Sequence, residues 1–107
     1  MAKWIDVGTR NQFPVGSITC VTIDDESVVV CNVEGRFAAV SNICPHARQP
    51  LIDGELCGSV LTCIYHNHAY DVFTGKDVDF PDTYAQAATY PVRITDADRV
   101  EVDLSDA

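Results

Sequence analysis

The 107 residues carry 16 acidic and 7 basic side chains, a net charge of −9, and five cysteines. A chain this acidic, its bases scattered singly and its longest strongly apolar run only residues 28–31, excludes nucleic-acid binding and membrane spanning. No export signal is read, and an odd cysteine count then argues for thiols or metal ligands over a disulfide framework, so a cytoplasmic protein is expected.

A single domain over residues 1–107 is expected, with a folded surface of roughly 5,900 Å² that hides about 65% of the unfolded chain. Short β-rich runs follow one another at 3–7, 17–23, 27–33, 36–41, 59–63, 69–73, 90–95 and 99–104. Turn-forming clusters separate them: Pro14-Val15-Gly16, Asp24-Asp25-Glu26, Glu34-Gly35, Asp53-Gly54, Thr74-Gly75 and Asp96-Ala97-Asp98. This is an all-β sandwich or barrel pattern. No stretch sustains a 3.6-residue period, although residues 82–88 can form one helical turn after Pro81. A four-residue loop over 24–27 sets Ile23 opposite Val28 and Cys20 opposite Cys31. In a reducing compartment these read as two buried thiols, and Cys57 as a loop thiol; none of the three is assigned to a metal. From 43 to 56 the strand pattern breaks into a loop of a length that tends to be functional.

Three of the five cysteines and all three histidines fall between positions 44 and 68. Within that window stand Cys44-Pro45-His46 and Cys63-Ile64-Tyr65-His66, two short pairs able to converge on a four-ligand metal site. Zinc would take both thiolates and both imidazoles on one tetrahedral ion; a 2Fe-2S cluster would place the thiolates on one iron and the imidazoles on the other. Spacing does not separate the two. Each short loop supplies one of each ligand type, an order that suits a dinuclear cluster held between two loops.

Cys44-Pro45-His46, Pro50-Leu51, Gly54, Gly58, Cys63-x-x-His66, Tyr70-Asp71 and Thr74-Gly75 together resemble a Rieske iron-sulfur domain. The resemblance implies a Rieske-like antiparallel β-sandwich with a small cluster-binding subdomain, here about residues 42–76. It implies one 2Fe-2S cluster ligated by Cys44, His46, Cys63 and His66. Respiratory-chain members clasp their cluster loops with a disulfide, but the comparable positions are Gln49 and Tyr65, so the closer likeness is to soluble ferredoxins. Such a protein is not itself an enzyme. It is expected to be a monomer that carries single electrons from a flavin-dependent ferredoxin reductase to a terminal oxygenase, a ring-hydroxylating dioxygenase or a related monooxygenase. Two other readings stand beside it, the small Rieske-like subunit of a nitrite-reductase-type enzyme and a structural zinc module.

Further roles follow from the resemblance. Tyr70 stands where relatives place a tyrosine that donates to a cluster cysteine. Asn67 replaces the usual glycine after the second histidine and tolerates a left-handed backbone. Arg48 and Gln49 are candidates for partner docking, Pro81 for a loop covering the cluster, and His68 for a non-ligand turned away from His66. Two ferric ions, two sulfides, two thiolates and neutral imidazoles cancel in charge, so the site accepts an electron more readily than a four-thiolate cluster. With one hydrogen-bond donor and the disulfide missing, the lower half of the range from about −150 to +300 mV is expected. Residues 41–76 hold three acids and two bases, a net −1, which leaves −8 for the rest of the chain.

Overall fold

The structure is a computed structural model that describes residues 3–23, 25–43, 50–63, 68–79 and 86–105. Among the described residues run ten strands, β1 (Trp4–Thr9), β2 (Ile18–Ile23), β3 (Glu26–Val33), β4 (Arg36–Ser41), β5 (Glu55–Cys57), β6 (Val60–Thr62), β7 (Ala69–Asp71), β8 (Thr89–Tyr90), β9 (Val92–Ile94) and β10 (Arg99–Asp103). Single 3-10 turns occupy Arg10–Gln12 and Leu51–Asp53. The strands make three antiparallel sheets, ordered β1-β10-β9, β2-β3-β4-β8 and β5-β6-β7. The whole chain's surface of 6121 Å² is close to the size-based expectation.

The apolar run of residues 28–31 explains the layering. Successive side chains of a strand point to opposite faces, so a strand that is apolar at every position must be covered on both. Val28 and Val30 face Val100, Val102, Leu104 and Phe13, the core shared with the β1-β10-β9 sheet. Val29 and Cys31 face Leu51, Leu61, Cys63, Tyr70 and Val72, the core shared with the β5-β6-β7 sheet. β3 is therefore the middle of the molecule. The Arg36 guanidinium, 4.3 Å from the centre of the Phe73 ring, also links the middle sheet to the β7 turn.

Several expectations are corrected. Ile23 pairs with Glu26, so the β2–β3 loop has two residues, not four, with Asp25 left-handed at φ 72°. Cys20 then lies opposite Val29 and Cys31 opposite Ile18. The two thiols are diagonal neighbours, about 7–8 Å apart at Cα, beyond disulfide reach; both are free, Cys31 buried but Cys20 exposed. Cys57 is also exposed, and it ends a strand that the loop reading missed. The run 90–95 is two strands. β8 joins β4 and β9 joins β10, and the chain changes sheet at Pro91, which has no N–H to give a ladder. Residues 86–88 form no helical turn, and 82–85 lie outside the described residues.

Burial pushes the Cys31 thiol up from 9.0 to about 12. The unfolded chain ionises this thiol first as pH rises, so its contribution to stability is complete below about pH 9 and lost between there and about 12. Unfolding free energy measured across that window should fall less steeply in Cys31→Val than in wild type. In native protein at pH 8, alkylation should reach Cys20 and Cys57 while Cys31 reacts only after denaturant is added; equal labelling of all three would contradict the packing.

Candidate metal centre

The foot of the first ligand loop is built on Asn42. Its backbone N–H donates to the Ser27 carbonyl at 2.9 Å, and its carbonyl takes the Leu51 N–H at 2.7 Å. Its side chain takes the Ile52 N–H at 2.8 Å and donates to Ser27 Oγ at 3.1 Å. A bridge between Ile43 and Pro50 closes the loop. Asn42 thus ties both ends of the loop to β3, a role that sequence reading missed. Cys44, His46, Arg48 and Gln49 lie outside the described residues.

The second foot is the β6–β7 hairpin. Leu61 pairs with Tyr70 and Thr62 with Ala69, and one step further the Cys63 N–H donates to the His68 carbonyl at 2.7 Å. His66 and Asn67 lie outside the described residues, as does Pro81. The Leu51–Asp53 turn leads through Gly54 straight into β5, which pairs with β6. One short sheet therefore carries the chain from the first foot to the second. Leu51, Leu61, Cys63 and Tyr70, each 1% exposed or less, pack in one core beneath both.

Cys63, the described member of the expected ligand set, suits a cluster thiolate. Its side chain is wholly buried, is free of disulfide bonding, and stands three residues before His66 in the chain. A donor set of two soft thiolates and two imidazoles fits a Rieske-type 2Fe-2S group. Tyr70 is buried in the same core as Cys63. The Tyr70-Asp71…Thr74-Gly75 segment is a turn scaffold. Asp71 Oδ1 takes the Phe73 N–H at 2.8 Å, and the Asp71 carbonyl takes the Gly75 N–H at 2.7 Å.

Two features were not foreseen. His68 does not face solvent alone: its Nδ1 lies 3.3 Å from the carboxylate of Asp77, which is fully buried. The acidic charge is also less remote than its sequence positions imply. Ser27 receives Asn42, so Asp25 and Glu26, at the neighbouring hairpin end, are folded against the foot of the first ligand loop. Elsewhere three acids are paired with arginines, Asp6 with Arg99, Asp98 with Arg10 and Glu101 with Arg93. A bidentate Arg99 guanidinium, at 2.8 and 2.9 Å, holds the Asp6 carboxyl below its usual value of 3.8. Among the described residues, no helix is long and apolar enough to cross a membrane.

Comparison with known proteins agrees with this architecture. A sequence model of the Rieske 2Fe-2S domain matches residues 3–91. The ferredoxin component of the naphthalene 1,2-dioxygenase system of Pseudomonas aeruginosa is 36% identical over 103 residues, 96% of this chain and 97% of that protein. A chain from the complex of reduced oxygenase and oxidized ferredoxin in carbazole 1,9a-dioxygenase superposes with a TM-score of 0.83 at 27% identity, covering 94% of this chain and 92% of that one. The putative NADH-dependent nitrite reductase small subunit of Mycobacterium tuberculosis superposes at 0.85 over 96% of each chain, but at 21% identity it shows the fold alone. Alike along nearly its whole length to a dioxygenase ferredoxin component, the chain belongs to the Rieske 2Fe-2S family and is an electron-transfer component with one Rieske-type cluster.

Proposed function

We propose that Cys44, His46, Cys63 and His66 hold the cluster, the two thiolates on one iron and the two imidazoles on the other, within a cluster-binding segment of residues 42–76 in a single domain of residues 1–107. The chain accepts single electrons from a flavin-dependent ferredoxin reductase and delivers them to the terminal oxygenase of a ring-hydroxylating dioxygenase or related monooxygenase. The observation that carries this reading is the end-to-end likeness to a dioxygenase ferredoxin component, 96% of one chain against 97% of the other. When bound, the cluster supplies reversible one-electron uptake. The protein's own residues supply the rest.

Asn42 and the Cys63–His68 backbone bond fix the two loop feet, and the Leu51, Leu61 and Tyr70 side chains keep water from the Cys63 side. Tyr70 donates toward the thiolate pair, Asn67 makes the turn after His66, and Arg48 with Gln49 touches the partner. The acids at Asp25 and Glu26 attract a basic partner surface toward that end of the molecule. The protein works in the cytoplasm as a monomer.

Purified protein is expected to be brown, to hold two irons and two sulfides per chain, to show a rhombic EPR signal on reduction and to elute as a monomer. Mixed in substoichiometric amounts with a reductase and a dioxygenase, it should support many oxygenase turnovers per ferredoxin. Colourless protein with one zinc per chain would overturn the reading; stoichiometric co-purification with a larger reductase would replace the shuttle by a fixed subunit.

A further inference from the structure

We propose that Asp77 is a positioning residue, which grips the second ligand loop from outside the β6–β7 hairpin by way of His68. The inference rests on the reading of Cys63 and His66 as ligands and deepens it.

Asp77 occupies the edge of the β5-β6-β7 sheet. It bridges Tyr70, and on either side the Val78 N–H donates to the Ala69 carbonyl and the Asp71 N–H to the Lys76 carbonyl, both at 2.9 Å. Opposed residues of an antiparallel pair share a face, and residues two apart on a strand do as well. Leu61 lies opposite Tyr70 and Cys63 meets His68, so Leu61, Cys63, His68, Tyr70 and Asp77 all belong to one face. That face packs against the middle sheet.

An aspartate is an unfavourable choice there. Backbone bonds hold residues 76–78 to β7 whatever the side chain, and an apolar residue would suit the core better. In the carboxylate, 0% exposed, Oδ1 takes the Asp79 N–H at 2.9 Å, and Oδ2 stands within ion-pair distance, 3.3 Å, of His68 Nδ1. His68 is consequently held twice, by its carbonyl to Cys63 and by its imidazole to Asp77. Displacing His68 from Cys63 would then also break its contact with the buried Asp77 carboxylate. Cys63, the described ligand of this loop, is bonded directly to the residue so held.

The test uses intact cluster-loaded protein carrying Asp77→Leu, His68→Phe, the pair together, or the conservative His68→Gln, which keeps an N–H donor. Two quantities are read: the half-time of cluster loss to an iron chelator and the EPR line shape of the reduced protein. Each single apolar variant should shorten the half-time by about tenfold, the lower end of what loss of a ligand's supporting partner costs, and should broaden or shift the EPR signal. The pair together should be no worse than either alone, because both break one contact, and His68→Gln should retain wild-type behaviour. If the apolar variants do not fold, the isosteric Asp77→Asn serves in place of Asp77→Leu with the same expectation. Additive losses, or a wild-type EPR signal in the single variants, would overturn the proposal. Wild-type protein that holds no 2Fe-2S cluster would instead overturn the ligand reading on which it stands.

Discussion

Cys63→Ala is expected to give a folded but colourless protein whose iron content drops at least about tenfold, with electron delivery to the oxygenase falling in proportion. The thiol is fully buried at the end of β6, packed among Leu51, Leu61 and Tyr70, so alanine leaves no thiolate at that fixed position. Serine should do little better, because a hard hydroxyl is a poor substitute for a soft thiolate on iron. Cys20→Ala and Cys57→Ala, which remove exposed thiols, should keep full iron content. Folding should survive in the far half of the molecule. The core of Phe13, Val28, Val30, Ala39, Val100, Val102 and Leu104 contains no residue of the cluster-binding segment, so its amides should stay protected from hydrogen exchange while those of residues 50–79 lose protection. Iron retained at the wild-type level in Cys63→Ala would remove Cys63 from the ligand set.

What could be read in advance divides along physical lines. The strand over residues 27–33 was legible because its cause is local, a run of β-branched and apolar residues; that both its faces are covered emerges only from the packing. The Glu34-Gly35 turn was legible for the same reason: both residues adopt positive φ, 54° and 93°, and joining β3 to β4 by a two-residue loop requires that. The β2–β3 register was not legible, since acidic residues 24–26 are compatible with two-residue and four-residue loops, and only packing against both cores selects Ile23 opposite Glu26. β5 escaped notice because three residues with a glutamate carry no period; it exists because Leu56 finds Leu61 across the ladder. In the site, residue types and spacing pointed to the chemistry of the Cys/His pairs. The supports did not show. Nothing near Asp77 in sequence distinguishes it from exposed Asp79, and its burial follows only from the bridge to Tyr70.

Gly75→Ala should be the most destabilising glycine substitution near the site, and Gly58→Ala is its control. Both glycines adopt left-handed conformations, at φ 77° and 60°, where a Cβ costs about 1–2 kcal/mol. They differ in what a methyl group would meet. Around Gly58, in the turn between β5 and β6, nothing lies within 4 Å. At Gly75 the methyl would stand 2.1 Å from the Ala87 carbonyl oxygen, a backbone atom that cannot rotate away. Moving it would strain the Ala87 N–H bond to the Gly75 carbonyl, 2.8 Å, and next to it the Ser41 N–H bond to the Ala88 carbonyl, also 2.8 Å. Those two bonds attach residues 87–88 at once to the turn after β7 and to the end of β4, just before Asn42. Overpacking of this kind adds about 1–3 kcal/mol. Gly58→Ala should therefore lose about 1–2 kcal/mol, and Gly75→Ala about 3–4, a further fall in Tm of about 10 °C at the scale of about 4–8 °C per kcal/mol for a domain near this size. Thermal unfolding followed by circular dichroism separates the two. Equal losses would mean that Ala87 yields freely and that left-handed backbone alone explains the glycine at position 75, whereas the larger loss at Gly75 would identify the Ala87 contact as the point where the cluster-binding sheet is fastened to the sandwich.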